Sequence, residues 1–143
     1  MKIIGIDPDT KESGVAVLED DNFTLLTTMR LHRLFKYIEE EKPDNVCISA
    51  GWLNKVVNFQ NKDVAMEVRE RISERVGANH EIGKQIASFC ASINTPYTLV
   101  RPRGKKVNSA QFNRLVGAPM RTNQEERDAA MTALFYSKKR IDI

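Results

Sequence analysis

The first eighteen residues, Met1-Lys-Ile-Ile-Gly-Ile-Asp7-Pro-Asp-Thr-Lys-Glu-Ser-Gly14-Val-Ala-Val-Leu18, constrain this chain more than any other segment. Ile3, Ile4 and Ile6 favour extended backbone, Pro8 has no amide to give a ladder, and Gly14 reopens an apolar run. The segment therefore predicts strand, tight turn, strand. Asp7 falls at the tip of the first strand, where a carboxylate either caps the turn ahead of Pro8 or awaits a cation or phosphate. A second acidic site near the other end of the chain, Glu125 and Asp128, shifts the balance toward a cation.

With 143 residues the chain is expected to form one domain, 1–143, large enough to bury roughly two-thirds of the surface its unfolded form would expose. Cys47 and Cys90 lie inside apolar patterns without CxxC or metal-ligand spacing, which predicts reduced core thiols and a cytoplasmic protein. No charged-then-apolar leader opens the sequence and no apolar stretch approaches the roughly 18 residues of a span, so no membrane partner is expected. The net charge of +3 is only mildly basic. Its distribution is more telling: Arg101, Arg103, Lys105 and Lys106 crowd together, and Lys138, Lys139 and Arg140 close the last helix. Such clusters are either solvated faces or phosphate contacts.

Loose alternation predicts a third strand over 23–29, and Leu31, Leu34, Phe35 and Ile38 carry the spacing of one buried helical face that stops before Pro43. The continuous run 45–50 reads as a central strand buried on both faces. From 51 to 77 the sequence is polar, predicting a long loop and then a weak amphipathic helix. Over 79–94, Ile82, Ile86, Phe89 or Cys90, and Ile93 share one face of a packing helix. A strand over 97–100, a short helix over 109–116 and a last helix over 123–138 complete the order. This is a mixed five-stranded sheet with helices on both faces, an α/β, ribonuclease H-like arrangement.

The opening Ile4-Gly-Ile-Asp7-Pro, followed by Gly14 and an apolar strand, resembles the start of RuvC-type Holliday junction resolvases. Glu125-Glu-Arg-Asp128-Ala-Ala is similar to that family's last motif, two acids three residues apart followed by small residues. The chain length is nearer that of phage-encoded members. The resemblance implies a crossover junction endodeoxyribonuclease acting in DNA recombination, with Mg²⁺ or Mn²⁺, two ions, held by Asp7, Glu125 and Asp128. Hard carboxylate oxygens suit such ions, and a pair of them activates water and stabilises the leaving oxygen. Thr122-Asn-Gln-Glu125 also reads as a capping box, which leaves Glu125 open between ligand and cap. Asp9, where the family has glycine, is read as a turn cap or an added ligand.

The family's acid near the end of the fourth strand is absent, and Ser49 stands in its place in Cys47-Ile48-Ser49-Ala50-Gly51-Trp52. A hydroxyl is a far weaker ligand for a hard dication. Three readings stay open: a knock-out made to trap substrate, a natural binder of branched DNA with a relic site, or an enzyme that recruits Asp63 or Glu67.

The segment after the fourth strand mixes rings, amides and positive charge in Trp52, Lys55 and Phe59, suited to stacking on unpaired bases. Resemblance implies that one of the two rings wedges open the centre of a Holliday junction; core burial is the alternative for each. Lys84, Arg101, Arg103, Lys105, Lys106, Arg114 and Arg121 would grip phosphates. His32 and His80 lack partners at ligand spacing. A near two-fold substrate calls for a homodimer, with the helix 79–94 as the contact, unless its ridge packs only on its own sheet. An actin-like nucleotide binder is the remaining rival, but the second glycine-rich loop it needs is missing.

Overall fold

Alternation along the sheet decides which helices cover which face. The structure, a computed structural model, describes residues 1–54, 66–102 and 105–141. In chain order it comprises β1 (Lys2–Asp7), β2 (Ser13–Glu19), β3 (Asn22–Met29), α1 (Leu31–Glu41), β4 (Asn45–Ser49), a 3-10 turn (Gly51–Leu53), α2 (Met66–Ser92), β5 (Tyr97–Val100), α3 (Ser109–Val116) and α4 (Gln124–Ile141). The five strands lie in the order β3-β2-β1-β4-β5. The first three pair antiparallel, while β4 runs parallel to β1 and β5 parallel to β4. The mixed sheet and the helices on both of its faces are those expected from the sequence.

Ile4, Ile6, Val15, Val17, Val46 and Ile48 point to one face, where Leu34 and Ile38 of α1 and Ile86 and Cys90 of α2 close over them. The intervening side chains Ile3, Leu18, Cys47 and Val100 meet Ala133 on the other face, and Ala16 meets Phe112, Ala129 and Ala130. Period-two side-chain alternation in the strands thus builds two apolar layers back to back. Both cysteines are free and buried, and burial pushes their thiols up, to about 12 for Cys47 and about 11 for Cys90.

The alanines of α4 let its backbone lie almost on the strands. A Cβ added at Gly5 would strike the Ala129 carbonyl and come within 2.8 Å of the Ala133 side chain; one added at Gly14 would strike the Glu125 carbonyl. Only glycine permits this approach at these two points.

Two readings of the middle of the chain change. The helix expected over 79–94 is the second half of one 27-residue helix beginning at Met66. Gly77 lies inside it with nothing near its Cβ position, and a single interior glycine costs only about 1 kcal/mol, too little to break a run of good helix formers. The apolar ridge proposed for dimer contact is turned inward: Ile86 and Cys90 are fully buried, and Phe89 stacks on Phe35 at 4.2 Å between ring centroids. That ridge serves the protein's own core.

Replacing Gly5 by Ala is expected to destabilise the fold by on the order of 3 kcal/mol through backbone overpacking, while Gly77→Ala should stabilise it by about 0.5–1 kcal/mol. Urea unfolding of the two variants beside the parent checks both signs.

Candidate active site

The register of the sheet places the site. Asp7, the last residue of β1, is paired with Gly14 of β2. Ile6 is paired with Ile48 of β4, so Ser49 follows directly beside Asp7. Alternation turns both away from Ile6 and Ile48 and toward the face covered by α4. Because Gly14 lies beneath the Glu125 carbonyl and Gly5 beneath that of Ala129, the first turns of α4 cross over the tip of β1. Asp128 is carried between those two crossing points.

Asp128 is held on both oxygens. Gln124 Nε2 donates to Oδ1 at 2.8 Å, and Lys106 Nζ pairs with Oδ2 at 3.2 Å. The strip of chain carrying Lys106 is itself tied to α4, since the Val107 carbonyl accepts from Arg127 Nε at 2.9 Å and from Gln124 Nε2 at 3.3 Å. Arg127 is anchored in turn on the Thr122 carbonyl and hydroxyl. Sequence reasoning missed Gln124 and Arg127; the i,i+4 spacing of Gln124 and Asp128 was the available signal.

Burial and then the Asp128 charge push the Asp7 carboxyl up to about 7, with Lys106 pulling against them and Asp9 and Glu125 adding to the rise. Two acids from opposite ends of the chain therefore act on one another electrostatically. Oxygen donors of this kind fit a hard divalent ion. Among the described residues, however, no group of three or more Asp, Glu, His or Cys side chains is arranged to enclose one. Asp128 is the largest charge acting on Asp7, and Glu125, which acts on it more weakly, is exposed.

Glu125 is not the cap. Asn123 and Glu126 exchange the reciprocal bonds of a capping box, Glu126 N to Asn123 Oδ1 at 2.8 Å and Asn123 N to Glu126 Oε1 at 2.9 Å. The box lies one residue later than the Thr122–Glu125 reading, in keeping with the stronger N-cap preference of Asn over Thr. Glu125 instead lines a cleft of about 790 Å³ together with Asp9, Glu12 and Arg30. Asp9 caps the turn, accepting from Lys11 N at 2.9 Å.

Trp52 is half-buried rather than projecting. Its ring lies on Gly83, near Pro8, edge-on to His80 and beneath the Lys84 ammonium. Lys84, Arg101, Lys105, Arg114 and Arg121 are exposed, and Lys105, Lys106 and Arg114 line one open pocket of about 690 Å³. The side chains of Lys55, Phe59, Asp63, Glu67, Arg103 and Lys138–Arg140 lie outside the described residues.

A mixed sheet in this order with helices on both faces has the ribonuclease H-like fold. Within that class its fold is that of the RuvC-type resolvases. RuvC of Thermus thermophilus in complex with a Holliday junction substrate superimposes with a TM-score of 0.60 at 15% identity, over 97% of this chain and 96% of that one. The Fowlpox virus resolvase in complex with Holliday junction DNA gives 0.57 at 13% identity, over 96% and 99%. No family model and no curated protein matches the sequence.

Asn123→Ala should cost about 1 kcal/mol of stability, whereas Glu125→Gln should stay within about 0.5 kcal/mol of the parent; chemical denaturation separates cap from free acid. Asp7 supplies a pH test. Its native carboxyl keeps a proton that the unfolded chain releases near pH 3.8, so stability falls as pH rises from about 4 and levels off above about 7. Asp7→Asn should flatten that decline and gain about 2–4 kcal/mol at pH 8 in metal-free buffer, read by unfolding across pH 4–8.

Proposed function

We propose that this chain is a structure-specific endodeoxyribonuclease that recognises Holliday junctions and related branched DNA and hydrolyses a phosphodiester with Mg²⁺ or Mn²⁺. The convergence of Asp7 and Asp128 beside a basic loop carries the reading. Asp7 and Asp128 would hold the ion, with exposed Glu125 as the third carboxylate within reach. A bound divalent ion would supply Lewis-acid stabilisation and an activated water. The basic side chains at 101, 105 and 114 would contact the backbone phosphates, giving affinity that falls steeply with salt. The RuvC and poxvirus structures with junction DNA support this reading through fold alone. A homodimer suits a substrate of near two-fold symmetry. Since the ridge at 82–93 is turned inward, a dimer contact along α2 would use its outer surface, where Ile72 is exposed.

Ser49 favours a second reading. It stands beside Asp7 in the register, where a carboxylate would complete the ligand set, so a junction binder with little or no cleavage is the alternative. The side chains of Asp63 and Glu67, the other acids read as recruitable, lie outside the described residues.

A labelled synthetic four-way junction incubated with Mg²⁺ or Mn²⁺ tests both. The parent chain is expected to bind the junction in preference to linear duplex and to nick it slowly, Ser49→Glu to nick at least about tenfold faster, and Asp7→Asn to bind without nicking. Binding without nicking by both the parent and Ser49→Glu would establish the relic, and loss of preference for the junction would refute either reading.

A further inference from the structure

We infer that the open pocket lined by Lys105, Lys106, Asn108, Gln111, Arg114 and Leu115 is a subsite for one unpaired nucleotide of the DNA, and that it prefers guanine there. The inference rests on the junction-binding reading and adds to it a base that the protein reads.

The chemistry of the lining carries it. Lys106, which lines this cavity of about 690 Å³, also pairs with Asp128 Oδ2 at 3.2 Å, so the cavity adjoins the acid of α4. Its walls are held in place. The Val107 carbonyl accepts from Arg127 and Gln124, and the fully buried Phe112 anchors α3 against Ala16, Ala129 and Ala130. The capping box of α3 then decides which amide atoms remain for a ligand. Asn108 Oδ1 accepts from Gln111 N at 2.8 Å, and Gln111 Oε1 accepts from Asn108 N at 3.0 Å. A backbone amide can only donate, which fixes both side-chain oxygens in the cap and leaves Asn108 Nδ2 and Gln111 Nε2 as donors without an acceptor among the described residues. With three cations beside them and no described carboxylate in the lining, the cavity calls for an anion rich in acceptors. A phosphate alone would leave Leu115 bare, a side chain 51% exposed among these charges. Duplex DNA hides its base faces by stacking, whereas an unpaired nucleotide offers phosphate, face and edge together. Among the bases, guanine carries two neighbouring acceptors, O6 and N7, on one edge, while adenine sets a donor beside its N7.

Anisotropy titration of labelled synthetic four-way junctions in EDTA tests this, each junction carrying at its centre one unpaired guanine, one unpaired adenine or one abasic site per strand. The parent is expected to bind the guanine junction at least about fivefold more tightly than the adenine one, the discrimination of one good pair of base contacts. Gln111→Glu keeps the oxygen that caps α3 but exchanges a donor for an acceptor, so its preference should turn toward adenine, whose N6 amine donates. Leu115→Ala should weaken binding of the guanine and adenine junctions about threefold and leave the abasic one within about 1.5-fold of the parent. Arg114→Ala should weaken all three alike, because phosphate contacts carry no base identity. Gln111, Arg114 and Leu115 are exposed, so their variants should fold, which far-UV circular dichroism checks. Equal binding of the guanine and adenine junctions by the parent, an unchanged preference in Gln111→Glu, or unchanged binding by Leu115→Ala would overturn the inference while leaving junction recognition intact. A parent that prefers none of the junctions to linear duplex would overturn both.

Discussion

Close approach of one helix backbone to two strands is the constraint on which the rest of this structure depends. Gly5 and Gly14 leave no side chain between the sheet and α4, and Ala129, Ala130 and Ala133 keep the helix side of the contact equally thin. A helix packed on ordinary side chains would stand farther from the sheet. The acid of α4 would then ride too high to meet the acid at the tip of β1. Folding energy and site geometry thus share one interface: the small residues that bury completely are the ones that bring Asp128 down to Asp7.

Much of the fold was legible because strand alternation and helical periodicity were strong at both ends of the chain. Ile4 and Ile6 against Ile3 announced two faces, and Leu34 with Ile38 announced the first helix. The middle was harder. Residues 66–78 carry little apolar periodicity, so nothing in the pattern revealed that they extend the packing helix; residues 70–75 are exposed and give no burial signal to read. The inward turn of Ile86 and Cys90 was equally hidden, since an apolar ridge looks alike whether it meets its own sheet or another copy.

The site divides in the same way. Asp7 and Asp128 could be paired from the two motifs, and the sheet register sets Ser49 beside Asp7. Their chemistry depends on neighbours that no motif marks. Lys106 reaches Asp128 only through the third dimension, and its charge opposes the rise of the Asp7 carboxyl. The cap was misplaced by one residue because overlapping Thr-x-x-Glu and Asn-x-x-Glu patterns compete for the same helix start, and the better hydrogen-bond acceptor prevails.

The turn after Asp7 is fastened to α2 at two places, where Asn79 Oδ1 accepts from Thr10 N at 3.2 Å and where the Trp52 ring fills the space between Gly83 and Pro8. A helix of 27 residues is a rod about 40 Å long. From Asn79 onward that rod is fastened to the acidic turn and the sheet, while residues 70–75 are exposed. Packing on α2 thus braces, from outside the sheet, the strand end that bears the carboxylate.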